Sequence, residues 1–134
     1  MTNVLVDSNV ILDIATNDAQ WFAWSRNALA RLGEKSILVV NPIIFAEVSV
    51  GYAAIEQVDD ILSPLVFHRE PIPYEAAFLA GRAFVIYRRR GGKRTSPLPD
   101  FFIGAHAAVA GYRLLTRDAG RYRAYFPTVE LIAP

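Results

Sequence analysis

Short, wholly apolar runs separated by longer amphipathic stretches set the rhythm of this chain. Val4-Leu5-Val6, Ile37-Leu38-Val39-Val40 and Leu114-Leu115 lack the alternation of a half-exposed strand. They suit central parallel strands whose two faces are both covered. The pattern predicts strands over 3–6, 37–40, 66–68, 113–116 and 129–132. Between them it predicts a short helix through Val10-Ile11-Leu12, capped by Ser8 or Asn9, and a helix over 18–32 with Asp18 as cap and Gly33 as stop. Further helices are predicted over 42–52, with Asn41 as cap and Pro42 in the first turn, and over 55–62, 74–90 and 100–111. Trp21, Trp24, Ala28 and Leu32 recur at helical spacing, which reads as packing. Strands alternating with helices imply an α/β fold with a central parallel sheet. One domain over 1–134 is the expectation, with a single irregular loop over 91–99.

Composition narrows this little, except by exclusion. The chain has 134 residues and is 53% hydrophobic, enough for one substantial core and too apolar for disorder. No apolar run approaches the roughly 18 to 20 residues of a membrane-spanning helix. With no cysteine there is no disulfide, thiolate metal site or cysteine nucleophile. Met1-Thr2-Asn3 leads straight into a strand without a signal-type segment, so a soluble, cytoplasmic protein with no membrane association is expected.

Charge changes the picture more. A net charge of +1 conceals −5 over residues 1–67 and +6 over the remainder. Arg88, Arg89, Arg90, Lys93 and Arg94 fall within seven residues, and Arg117, Arg121 and Arg123 follow. Cations at a helix C-terminus are an ordinary arrangement. They also suit contact with a polyanion, which would supply affinity and salt dependence rather than base specificity.

Four acids stand apart from the solvated Glu56, Asp59 and Asp60. Asp7 ends the first apolar run, Glu47 interrupts Ile43-Ile44-Phe45-Ala46-Glu47-Val48, Asp100 opens an apolar helix, and Asp118 follows Leu114-Leu115-Thr116-Arg117. Carboxylates beside core segments are costly unless paired, hydrogen-bonded or bound to metal. In open parallel sheets ligands bind beyond the carboxyl ends of the strands, the edge that Asp7 and Asp118 should share. Helices starting there carry Glu47 and Asp100, so all four can converge. Two carboxylates about 5 Å apart repel by roughly 3 kcal/mol at an effective dielectric of about 20. A divalent cation removes that penalty and favours oxygen ligands. Each acid also has an ordinary reading: Asp7 and Asp100 as helix caps, Asp118 as a turn residue. Glu47 is the hardest to explain structurally, because its helix is almost wholly apolar. Asn9 divides between capping and assisting a metal, and Thr116 reads as a strand-end hydroxyl. His106 lies about 240° around its helix from Asp100 and is expected to face elsewhere. Gly104, Ala107, Ala108 and Gly111 are expected to let their helix approach the sheet closely.

Val4-Leu-Val-Asp7-Ser-Asn9-Val-Ile-Leu12, Pro42-Ile-Ile-Phe-Ala-Glu47-Val, Leu98-Pro-Asp100-Phe-Phe-Ile-Gly-Ala-His106-Ala and Leu114-Leu-Thr-Arg117-Asp118 together resemble the PIN-domain family, and within it the VapC-type toxins. The ending Gly120-Arg-Tyr-Arg-Ala-Tyr-Phe-Pro127-Thr-Val-Glu-Leu is similar to that group as well. The resemblance implies a three-layer α/β/α nuclease domain that hydrolyses RNA with Mg²⁺ or Mn²⁺, forms a homodimer and is held inactive by a VapB-type antitoxin. It maps Asp7, Glu47, Asp100 and Asp118 onto the family's catalytic, metal-binding acids, with Asn9 and Thr116 in support. Arg88, Arg89, Arg90, Lys93, Arg94 and Arg117 are the candidate RNA contacts.

Three other readings compete. A catalytically silent PIN-like module would bind RNA or protein without turnover. A receiver-type phosphorylation module needs a late-strand lysine, whereas the only lysines are Lys35 and Lys93. A phosphatase lacks its second carboxylate in Asp7-Ser8-Asn9.

Overall fold

The computed structural model describes residues 2–134. Five strands, β1 (Thr2–Val6), β2 (Ser36–Val40), β3 (Phe67–Arg69), β4 (Arg113–Leu115) and β5 (Leu131–Ile132), form one sheet in the order β3-β2-β1-β4-β5. Every pairing is parallel, with Leu5 opposite Val39 and Leu114, and Leu114 opposite Leu131. Parallel neighbours require crossovers, and helices supply them. They are α1 (Ser8–Ala15), α2 (Phe22–Gly33), α3 (Pro42–Ser49), α4 (Ile55–Ile61), α5 (Tyr74–Arg89), α6 (Pro99–Ala110) and α7 (Gly120–Tyr125). The result is a three-layer α/β/α architecture.

β1 lies at the centre, and Val4, Leu5 and Val6 are wholly inaccessible to solvent. Each such side chain contributes about 1.5–3 kcal/mol relative to exposure. From β1 the chain builds outward to β2 and β3, then returns to the other side of β1 for β4 and β5. That reversal opens a crevice beyond the carboxyl ends of β1 and β4. Among the described residues no helix is long and apolar enough to cross a membrane.

Several boundaries differ from the sequence reading for local reasons. Asp7, not Ser8 or Asn9, caps α1, its carboxylate accepting from the Ser8 amide. α2 begins at Phe22 rather than 18, because the Asp18 carboxylate accepts from the amides of Gln20 and Trp21 and closes a turn ahead of the helix. Asn41 does cap α3, accepting from the Ile44 amide at 3.0 Å. That helix stops at Ser49, whose hydroxyl donates back to the Phe45 carbonyl. Leu98 stands at the N-cap position of α6 without a side-chain cap bond, leaving Asp100 within the first turn. Among the small residues of α6, Gly104 faces Phe126 rather than the sheet, and a Cβ there would lie 2.3 Å from the Phe126 ring. Gly111 ends the helix in the left-handed region, at φ 72°. α7 lies outside the helices that the hydrophobic pattern predicts. It is a short helix that buries Tyr122 and leads into buried Phe126.

Candidate active site

Asp7 is the hub of a hydrogen-bonded cluster at the carboxyl ends of β1 and β4. Its amide donates to the Leu115 carbonyl at 2.9 Å, so the β1–β4 ladder runs one step past the strand and fixes its backbone. Only 4% of Asp7 is exposed. Its Oδ1 accepts from the Ser8 amide at 2.8 Å. Its Oδ2 accepts from the hydroxyls of Thr116 and Tyr122, each at 2.9 Å, with Asn9 Nδ2 at 3.5 Å. The carboxylate is thus held by donors from α1, the end of β4 and α7.

The same hydroxyls reach the other acids. Ser8 Oγ donates to Glu47 Oε1 at 2.9 Å and lies 3.5 Å from Asp7 Oδ1. Tyr122 OH lies 3.5 Å from Asp100 Oδ1. Glu47 comes from the middle of α3, which packs on α1, and Asp100 from the first turn of α6, which packs on α7. Asp118 is anchored through its backbone, its amide donating to Thr116 Oγ1 at 3.1 Å, and it lines a cleft with Asp100. That cleft has a volume of about 450 Å³, and Tyr87, Gly120, Arg121 and Tyr125 complete its walls.

The electrostatics follow from this crowding. Burial raises the pKa of Asp7, opposed by the Tyr122, Thr116 and Ser8 bonds and reinforced by the Asp100 charge. Burial also raises Glu47, with the charges of Asp7 and Asp100 adding to it. Asp100 is raised by burial and by Asp118, against the lowering effect of Arg121 and Tyr122. Burial, together with the charges of Asp7, Asp100 and Glu47, lifts the Tyr122 phenol well above its ordinary value. It therefore remains a proton donor to its carboxylate partner throughout the physiological range.

The donor set is hard oxygen and negative, the chemistry that Mg²⁺ and Mn²⁺ prefer. Among the described residues, however, no three His, Cys, Asp or Glu side chains stand close enough together to enclose an ion. Hydroxyl groups occupy the space between neighbouring acids, Ser8 between Asp7 and Glu47 and Tyr122 between Asp7 and Asp100. The residues fit a divalent cation in kind and in charge, and gathering round one requires the carboxylates to draw inward.

The supporting candidates divide. Asn9 bridges α1 to the loop after β4, its Oδ1 accepting from the Arg117 amide at 3.1 Å and its Nδ2 lying 3.3 Å from Thr116 Oγ1. Thr116 is fully buried against Asp7. The Arg117 side chain turns away from the cleft. It makes two 2.8 Å bonds to Asp13, itself bonded by Ser25, and lies over the Trp21 ring. Arg88, Arg89, Arg90, Lys93 and Arg94 are exposed, and among the described residues none of them forms an ion pair. Arg90 reaches the Ala124 carbonyl at 3.4 Å and covers Tyr125, which ties this run to the rim of the cleft. His106 is wholly buried, with Nδ1 on Asn41 and Nε2 3.8 Å from Glu70, in a separate polar cluster.

Sequence reasoning missed Tyr122 as a site residue. Its only signal was helical spacing, four residues after Asp118 and four before Phe126, within a segment too short to show an apolar period.

The sequence profile of the PIN domain matches residues 4–127. No curated protein matches the chain by sequence. Among solved structures, VapBC2 from Rickettsia felis, bound to a DNA fragment from its promoter, superposes with a TM-score of 0.76 at 16% identity and covers 99% of each chain. VapBC-1 from nontypeable Haemophilus influenzae gives 0.72 at 17% identity over 98% of each chain. FitAcB from Neisseria gonorrhoeae gives 0.67 at 21% identity over 96% of each. At these identities the likeness concerns the fold.

Proposed function

The chain belongs to the PIN-domain family, and on that premise we propose that it is a VapC-type endoribonuclease, the toxin of a type II toxin–antitoxin pair, hydrolysing RNA phosphodiester bonds with Mg²⁺ or Mn²⁺. The observation that carries this reading is the linked set of acids. Asp7 is buried, and single hydroxyl groups join it to Glu47 and to Asp100. Purely structural carboxylates gain nothing from being gathered at one sheet edge, where burial and mutual charge raise their pKa values.

Asp7, Glu47, Asp100 and Asp118 are the proposed metal-holding and catalytic acids. A bound divalent cation supplies Lewis-acid activation of water and neutralises charge at phosphorus. Asp7, fixed by three donors, sets the reference position of the site. Thr116 and Asn9 hold it to the end of β4, and Tyr122 keeps a proton donor between Asp7 and Asp100. Asp100 and Asp118 present their carboxylates to the cleft, where the phosphate would enter. Of the basic run, Arg90 covers Tyr125 and the Arg94 amide donates to Tyr87 OH, both on the wall of the cleft. With Arg88, Arg89 and Lys93 they are the proposed contacts for the flanking backbone. Arg117 suits a bracing role better, given its bonds to Asp13.

Solved relatives include a toxin–antitoxin complex from Klebsiella pneumoniae and VapBC-5, of the VapBC family of toxin–antitoxin systems, from Mycobacterium tuberculosis, which supports a small VapB-type antitoxin as partner. A homodimer and a cytoplasmic setting belong to the same reading. An antitoxin segment carrying a basic side chain into the acidic cluster would offset its repulsion. The test is cleavage of RNA by purified protein with Mg²⁺ or Mn²⁺. Loss of cleavage with EDTA and with Asp100→Asn, at unchanged circular dichroism, is expected. RNA binding without metal-dependent cleavage would instead favour the silent binding module.

A further inference from the structure

Among the described residues, Arg121 is the only cation lining the 450 Å³ cleft. It stands on the first turn of α7 with Nη1 3.5 Å from Asp100 Oδ2, and its guanidinium also lies 5.9 Å from the ring centres of Tyr87 and Phe101. Both partners of the ion pair keep more than a third of their side-chain surface in water, 39% for Arg121 and 36% for Asp100. Solvent screens such a pair and it opens readily. Arg117 is the contrast, locked to the buried Asp13 by two short bonds.

We propose that Arg121 exchanges partners: it is the counter-ion of Asp100 while the acids hold no metal, and it turns to an RNA phosphate once a divalent cation takes that carboxylate. This rests on the nuclease reading above. Asp100 faces the additional negative charge of Asp118, so without metal a cation at this place is favoured. A metal ion drawn to the same carboxylate competes directly with the guanidinium. Once displaced, Arg121 keeps its aromatic shelf and remains in the cleft. There its planar fork of donors suits two phosphate oxygens. One residue thereby opposes metal binding and favours RNA binding, which sets two measurements against each other.

The test compares wild-type protein with Arg121→Gln and Arg121→Lys. Mn²⁺ affinity is measured by calorimetry. RNA affinity is measured by anisotropy of a short fluorescein-labelled single-stranded RNA of mixed sequence in Ca²⁺, over a series of salt concentrations. Arg121→Gln should bind Mn²⁺ about twofold to fivefold more tightly, the scale expected from removing one exposed ion pair. It should bind RNA more weakly, with a log–log salt slope shallower by about 0.7, one phosphate contact fewer. Arg121→Lys should restore the competition with Mn²⁺ but only part of the RNA affinity. Unchanged or weaker Mn²⁺ binding by Arg121→Gln overturns the exchange. Tighter Mn²⁺ binding with unchanged RNA affinity and slope overturns the phosphate half of it. Wild-type protein that binds Mn²⁺ and cleaves RNA separates those failures from failure of the nuclease reading. Wild-type protein that does neither overturns both.

Discussion

Asp7, which is buried, and Glu47, which is half-buried, each depend on single hydrogen bonds from neighbouring hydroxyls. Tyr122→Phe removes one donor from Asp7 and leaves the ring in place. An acceptor deprived of its partner in a buried site costs about 1–3 kcal/mol, so metal-free Tyr122→Phe should lose stability on that scale in urea unfolding near neutral pH. Unchanged stability would mean that Thr116 and Ser8 alone satisfy the carboxylate. Glu47 offers a test by pH. Its pKa is raised by burial and by the charges of Asp7 and Asp100, so the folded protein holds the proton more tightly than the unfolded chain. The corresponding stability is fully present below the unfolded glutamate's pKa and is lost as pH rises through the folded value. Glu47→Gln keeps an acceptor for Ser8 Oγ and cannot ionise. Without metal its melting temperature should therefore exceed that of wild type at pH 7, and the difference should close on acidification into the ordinary glutamate range. Saturating Mg²⁺ should reverse the order, because only the wild type gains a ligand. A difference independent of both pH and metal would remove Glu47 from the cluster.

At the level of elements, α7 and α3 bring the site together. Gly104 in α6 abuts the Phe126 ring that terminates α7. Gly104→Ala should destabilise the protein by about 1–3 kcal/mol through overpacking. Its RNA cleavage should fall as well, because Tyr122 and Arg121 ride on the displaced helix. Thermal melts and a cleavage assay check both effects, and full activity in a stable variant would contradict the coupling. Asn41→Ala should cost about 0.5–2 kcal/mol by removing the α3 cap, a loss sharpened because Asn41 is also the partner of buried His106. The strands that carry Asp7 and Asp118 were legible from sequence, since unbroken apolar runs such as Val4-Leu5-Val6 have no other comfortable place in a chain of this size. The caps were less legible. Asp18 and Asp100 stand where capping residues stand, yet one closes a turn ahead of its helix and the other lies inside it. α7 was illegible because six residues cannot display a helical period, and its buried Tyr122 and the Phe126 that follows it meet Asp7 and Gly104, both distant in sequence. The four acids could be named one by one, but the hydroxyls between them could not. Tyr122 meets Asp7 only after the chain has crossed the sheet.

For the whole molecule, the sheet order explains why acids from such distant parts of the sequence meet. The chain reverses at β1, and the crevice thus created receives Asp7 from the central strand, Thr116 and Asp118 from beyond β4, Glu47 from α3 and Asp100 from α6. The uneven charge of the two halves acquires a spatial meaning as well. The basic run at the end of α5 reaches the wall of the cleft where Arg90 covers Tyr125, while Asp100 and Asp118 line the same cleft. The most direct test of the acid cluster as a metal-dependent ribonuclease centre is product analysis of RNA incubated with purified wild-type protein and Asp7→Asn. Both are assayed with Mg²⁺ or Mn²⁺ and with EDTA. Internal cleavage by the wild type with metal alone, and none by a folded Asp7→Asn, is the expected result. Cleavage that persists in EDTA or in Asp7→Asn, or none by the wild type on any RNA, would contradict it.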